Sequence, residues 1–189
     1  MMQKLFIVAA AAATVLIQGC APLAVGAAGA GALMIGDRRT TGVYIEDENI
    51  EWKALARMRE SFPNAHVNAT SYNRKVLLTG EAYTDADKQK IEETVKGIES
   101  VREVANELQV AGNSSFASRG SDSLVTSNVK ARMMNNGKFS VNHVKVVTEA
   151  GVVYLLGLVT TAEGDVAVEI ARTTSGVNRV VKVFEYVGR

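Results

Sequence analysis

Gly151-Val152-Val153-Tyr154-Leu155-Leu156-Gly157-Leu158-Val159-Thr160 decides the fold, because most of it is written twice. Its residues Val152 to Gly157 line up with Lys75-Val76-Leu77-Leu78-Thr79-Gly80. Upstream, His143-Val144-Lys145 lines up with His66-Val67-Asn68 at the same offset of 77 residues. Downstream, Gly97-Ile98 matches Gly176-Val177 at an offset of 79, so a two-residue indel separates the copies. A stacked solenoid needs at least three units, so two copies of about 70 residues make two small domains.

Each copy reads helix, strand, strand, helix, strand. In the first, Ile50, Ala54, Leu55, Met58 and Phe62 recur at helical spacing with charges opposite. His66 to Tyr72 and Lys75 to Tyr83 alternate as a hairpin. Thr84-x-x-Asp87 has the form of a capping box opening a helix over Asp85 to Lys96, and Val101 to Val110 is the closing strand. The second copy predicts a helix from about Asp122 to Asn135, strands Val144 to Thr148 and Val152 to Val159, a second helix capped by Thr160-x-x-Glu163, and a closing strand Val177 to Val187. The fold class is α+β: two tandem αββαβ domains, each with two helices packed on one face of a three-stranded mixed sheet. Gly80 and Gly157 fall late in the second strand, where a missing side chain admits another backbone or bulges the strand.

Working outward, Ala111 to Gly120 is a short polar linker. The N-terminal flank is of another kind. Lys4 precedes an uninterrupted apolar run from Leu5 to Ile17, 13 residues long. That is a signal-peptide core, too short to span a bilayer, which takes about 20. Ile17-Gln18-Gly19-Cys20 resembles a bacterial lipobox, and Cys20 is the only cysteine. The resemblance implies cleavage before Cys20, thioether diacylation and acylation of the new amine. Each buried methylene contributes about 0.8 kcal/mol, so several chains make a lasting anchor. Ala21, not Asp, follows the cysteine, which by the lipoprotein sorting rule implies the outer membrane. Residues 21–36 are Gly/Ala-rich and uncharged, and charge returns at Asp37-Arg38-Arg39. The predicted division is a signal peptide over 1–19, the lipidated cysteine and flexible tether over 20–42, domains over 43–110 and 121–189, and the linker over 111–120.

Composition excludes several classes. The 189 residues carry a net charge of +1 with 47% hydrophobic residues and 2 prolines, which excludes a disordered or collagen-like chain. Without a Lys/Arg surplus, nucleic acid is not an expected partner. One cysteine excludes an intramolecular disulfide or a multi-thiolate zinc site.

The paired motifs Lys75 to Gly80 and Gly151 to Thr160, followed by Gly97-Ile98 and Gly176-Val177, resemble the BON domain, an αββαβ module of bacterial envelope and osmotic-stress proteins. With the lipobox and Asp37-Arg38-Arg39-Thr40-Thr41-Gly42, the whole chain resembles the outer-membrane lipoproteins of that family. The resemblance implies a non-enzymatic lipoprotein on the periplasmic face of the outer membrane. It would bind anionic phospholipid of the phosphatidylglycerol or cardiolipin type through the first helix of its second domain. It would also support envelope integrity at division sites, with envelope or division proteins as further partners.

The residues of that helix can be read independently. At 100° per residue, Val125, Val129 and Met133 share the face that should meet the sheet. Leu124, Ala131 and Met134 fall nearly opposite, with Ser127 between them and Lys130 beside them. A second mild apolar stripe beside a cation suits shallow insertion among headgroups; the alternative is that the first domain covers it. The lipid-binding set is thus Leu124, Ser127, Lys130, Ala131 and Met134. Trp52 is either a half-buried packing residue or a second interfacial anchor. A rival function is a protein-binding adaptor acting through a sheet face or an edge strand.

No catalytic constellation is legible, since no G-x-S-x-G elbow places a nucleophile. Gly26-x-x-Gly29-x-Gly31 lacks the helix and lysine of a phosphate loop. His66 and His143 have no cysteine or carboxylate at ligand spacing and read as solvent-facing strand residues. Neither a cofactor nor a metal site is expected.

Overall fold

In the computed structural model, residues 36–111 and 116–188 are described, with side chains resuming at 120 in the second stretch. The signal peptide expected over 1–19, Cys20 and the first part, through residue 35, of the tether expected over 20–42 lie outside the described residues. The first domain runs α1 (Thr41–Ser61), β1 (His66–Tyr72), β2 (Lys75–Ala82), α2 (Asp85–Lys96), β3 (Glu103–Asn106) and β4 (Gln109–Val110). The second runs α3 (Phe116–Asn136), β5 (Val144–Glu149), β6 (Val152–Val159), α4 (Thr161–Arg172) and β7 (Arg179–Tyr186), with a 3-10 turn (Val141–His143) leading into β5. In each domain the first two strands pair antiparallel and the last pairs parallel to the second. Two mixed α+β sheets follow, as the repeat predicts.

The cores follow strand alternation. Val76 and Leu78 of β2 join Ile50, Ala54, Met58, Ile91 and Val95 of the helices. Val153, Leu155 and Val159 of β6 join Val125, Val129, Met133, Ala167 and Ala171. The intervening residues face the other way and form a third core between the domains, in which Tyr72 and Leu77 meet Tyr154, Leu156 and Val183. The described body from residue 36 onward is therefore four layers: helices, sheet, sheet, helices. Val76 to Ala82 and Val153 to Gly157 are buried at successive rather than alternate positions because both faces are covered. The two sheets dock face to face, so of the two surfaces the adaptor reading names, a sheet face or an edge strand, the face is buried.

Polar bonds rim this junction. Tyr72 Oη donates to the carbonyls of Asn142 and His143 at 3.2 and 3.3 Å. Lys145 Nζ reaches Glu51 Oε1 at 2.7 Å, and Asn73 Nδ2 reaches Glu185 Oε1 at 3.0 Å.

Both helices that open a domain begin earlier than their apolar spacing indicates. Thr40, expected in the tether, caps α1 by accepting from Val43 N, and Arg39 Nη1 binds Asp47 Oδ2 at 2.8 Å. Helix α3 begins at Phe116, inside the stretch expected to be linker. The closing strand of the first domain is interrupted: Glu107 and Leu108 separate β3 from β4, and Leu108 turns into the core. Other expectations hold closely. Helix α2 spans Asp85–Lys96 with Thr84 accepting from Asp87 N, and Thr160 and Glu163 form a reciprocal capping box on α4. A Cβ at Gly157 would stand 2.3 Å from the His143 carbonyl oxygen, and one at Gly80 only 2.1 Å from that of His66. The bare glycines are what let the first strand of each hairpin approach.

One device repeats that the sequence reading missed. The buried face of α1 is Asp47, Ile50, Ala54, Met58, and that of α3 is Asp122, Val125, Val129, Met133, the same spacing with an aspartate leading. Each aspartate takes the two amides of its domain's hairpin turn. Asp47 accepts from Asn73 N and Arg74 N at 2.8 and 2.7 Å, Asp122 from Ala150 N and Gly151 N at 2.8 and 2.9 Å. All four turn residues have positive φ, between 50° and 74°, the two-residue geometry that matches strand twist. Three of them are not glycine, and a left-handed residue costs about 1–2 kcal/mol. The charge-assisted bonds to the aspartates offset that strain.

Candidate functional site

Helix α3 is held rigidly from within. Val125, Val129 and Met133 are buried, Thr126 bonds Thr148 at 2.7 Å, and Arg132 Nη1 donates to the Ile170 carbonyl and to Thr174 Oγ1 at 2.9 and 2.7 Å. The opposite side faces solvent. Leu124 is 68% and Met134 67% exposed, and Ser127, Lys130 and Ala131 between them are exposed too. All five residues of the expected stripe thus share one open face, and the alternative in which the first domain covers it is overturned, since the domains meet through their sheets. The charge on this helix is one-sided. From Gly120 to Lys138 the cations are Lys130, Arg132 and Lys138, and the one acid, Asp122, is buried in its turn. Among the described residues, Lys130 has no carboxylate partner within ion-pair distance.

Trp52 is 72% exposed on α1, so the packing alternative fails for it. It stands in the outer helical layer of the first domain, across the double sheet from the layer that carries α3.

Where the chain enters its folded body, Asp37-Arg38-Arg39 ties both domains together. Arg39 pairs with Asp37 and Asp47 in the first domain and stacks over the Tyr72 ring at 3.9 Å. Burial opposes charge on Arg39, yet the two aspartates hold its proton more firmly than usual. Burial, with Asp37 adding to it, pushes the Tyr72 phenol up to about 12. Arg38 crosses to the second domain, binding Glu163 with both Nη atoms at 2.6 and 3.0 Å and the Leu158 carbonyl at 2.7 Å. A Cβ at Gly36 would lie 3.1 Å from Ser140 Oγ, so the entry point sits against the loop that follows α3.

Burial raises the Glu163 carboxyl, but Arg38 and the Thr160 amide and hydroxyl outweigh it and hold it at about 2, below its ordinary 4.5. A depressed carboxyl contributes stability that is complete above the unfolded value and lost as pH falls from about 4.5 towards 2. Arg38→Ala is therefore expected to cost on the order of 2 kcal/mol at neutral pH and to raise the midpoint of acid unfolding. Circular dichroism across an acid titration checks this; an unchanged midpoint would show that Arg38 does not carry the shift.

His66 and His143 are not solvent-facing strand residues. Both are half-buried, and His143 lies in the 3-10 turn. His66 Nδ1 is 2.8 Å from Glu81 Oε2, and His143 Nδ1 is 3.2 Å from Glu163 Oε1. The His66–Glu81 contact follows from hairpin register, since the two residues are direct partners across β1 and β2. Carboxylates distant in sequence therefore do reach both imidazoles.

The BON domain model matches residues 46–112 and 121–188. The chain is 40% identical over 177 residues to the outer membrane lipoprotein DolP of Haemophilus influenzae, covering 92% of each chain. It is 34% identical over 154 residues to the 21 kDa hemolysin of Actinobacillus pleuropneumoniae, covering 80% of this chain and 79% of that one. It is also 29% identical over 144 residues to the osmotically-inducible protein Y of Escherichia coli, covering 74% and 72%. Two matched units, one on each sheet of the docked pair, and likeness along nearly the full chain place the protein in the BON-domain family, as an outer-membrane lipoprotein of the envelope.

Proposed function

We propose that the chain, anchored through acylated Cys20 to the periplasmic face of the outer membrane, binds anionic phospholipid of the phosphatidylglycerol or cardiolipin type through the outward stripe of α3. The carrying observation is Leu124 and Met134, both about two-thirds exposed on a helix whose inner face is fully packed, with Lys130 between them. The reading is non-enzymatic.

Magnitudes favour a weak contact made sufficient by the anchor. Fully burying a Leu or Met side chain is worth about 1.5–3 kcal/mol, and partial insertion less. A lysine near an anionic surface adds about 1 kcal/mol. A total of about 4 kcal/mol corresponds to a dissociation constant of about 1 mM. A short flexible tether supplies an effective concentration of the same order, so the anchored helix reads headgroups that the free domain would hardly hold.

The test is a residue-resolved NMR titration of the chain beginning after Cys20 with phosphatidylglycerol-containing and zwitterionic micelles. Resonances of Leu124, Ser127, Lys130, Ala131 and Met134 are expected to move with the anionic micelles alone. Leu124→Asp with Met134→Asp should weaken the response at least tenfold, while Trp52→Ala, in the opposite layer, should leave it unchanged. Equal response to both micelles, or none at α3, sinks the reading. We also infer a role in envelope integrity at division sites, which a fluorescent fusion spread evenly around dividing cells would contradict.

A further inference from the structure

At the junction of the two domains, β1, β2 and β5 bring together one imidazole and two carboxylates that the lipid-binding surface does not use. His66 Nδ1, a Glu81 oxygen and a Glu149 oxygen all lie within 4.8 Å of one another. His66 and Glu149 line one end of an open cleft of about 470 Å³, whose other walls include Asn68 and Asp122, and Glu81 stands behind His66 as its hydrogen-bonded partner. Glu81 is 7% and Glu149 9% exposed. Among the described residues, no Lys or Arg pairs with either, and Asp122 lines the cleft beside Glu149 as a further carboxylate. Burial pushes the Glu149 carboxyl up, and Glu81 and Asp122 push it further, against the opposing Asn68 and His66. Burying carboxylates this way is costly unless a cation compensates them.

We propose that His66 Nδ1, Glu81 and Glu149 bind a divalent transition-metal ion of the zinc class, which cross-links the first domain to the second. One nitrogen and two carboxylate oxygens, with water in the fourth position, is a donor set that Zn2+ accepts at about 2.0–2.2 Å. Ligands at such distances around a tetrahedral centre stand about 3.3 Å apart, so side-chain shifts of about an ångström close the present cluster. The outer shell is already in place. Asn68 Nδ2 donates to Glu149 Oε2 at 3.0 Å, orienting the carboxylate, and Asp122 fixes the turn that begins one residue after it. The Gly80 contact with the His66 backbone holds the imidazole's strand in register. The second copy cannot build the same site, because Leu158 stands where the first has Glu81.

The experiment is calorimetric titration of Zn2+ into the chelator-treated full chain in detergent near neutral pH, with thermal melting alongside. The expected result is one Zn2+ per chain and a melting temperature raised by several degrees. Glu149→Gln, which keeps the shape and the acceptor for Asn68, should weaken binding at least tenfold. His143→Gln, altering the imidazole of the other copy, should leave it unchanged. If Glu149→Gln does not fold, Asn68→Ala serves in its place, with an expected loss of about tenfold to a hundredfold. Absence of saturable one-to-one binding, equal losses in the Glu149 and His143 variants, or binding without a rise in melting temperature overturns the proposal.

Discussion

Asp47→Ala is expected to lower the unfolding free energy by about 3–5 kcal/mol, the range for removing one partner of a buried, hydrogen-bonded charge. The side chain is only 3% exposed and accepts from four donors: the Asn73 and Arg74 amides, Ser71 Oγ at 2.6 Å and Arg39 Nη1. Alanine leaves two inward amides of a strained turn without an acceptor and uncovers the Arg39 guanidinium, most of whose other bonds go to Asp37. Asp122→Ala removes the counterpart in the second domain, where among the described residues two amides and no guanidinium meet the carboxylate, and about 2 kcal/mol is expected. Urea denaturation at neutral pH checks both. Equal costs would mean that Arg39 adds nothing to the first turn, and a cost under 1 kcal/mol for Asp47→Ala would remove the aspartate clamp as a stabilising device.

That clamp also shows where sequence reading stopped. The apolar periodicity of α1 and α3 was legible from Ile50 and Val125 onward, and the buried aspartate one step earlier broke the pattern. Only the matched spacing in both copies, Asp47 to Ile50 and Asp122 to Val125, carried the signal. Strand positions were legible because the hairpins are short and their register is set by two-residue turns. The face-to-face docking had a signature in Val76-Leu77-Leu78 and Val153-Tyr154-Leu155-Leu156, where apolar residues on both faces demand cover on both. The five residues on the open face of α3 were legible because a second apolar stripe is visible in a single helix. The cleft lined by Glu149 was not, since His66 meets Glu81 through hairpin register but meets Glu149 only once the sheets have docked.

Docking itself sets the second large effect. Leu77 is fully buried yet belongs to the core between the sheets rather than to its own domain's helical core. Leu77→Ala is therefore expected to cost about 2–5 kcal/mol, as for other buried leucines, with the loss felt on both sides of the junction. Hydrogen exchange distinguishes this from a local defect. Amides of β6 and β7, which flank Tyr154, Leu156 and Val183, should lose protection as much as those of β2. Leu78→Ala, facing the helices of the first domain, should affect that domain more than the second. If Leu77→Ala left the second domain's protection untouched, the sheets would be apposed without mutual support. The orientation of α3 relative to the entering chain would then rest on Arg38 and its partners alone. If the loss crosses the junction, the two domains open as one cooperative body, and α3 keeps a fixed attitude to both sheets and to the Arg38 contacts that join them.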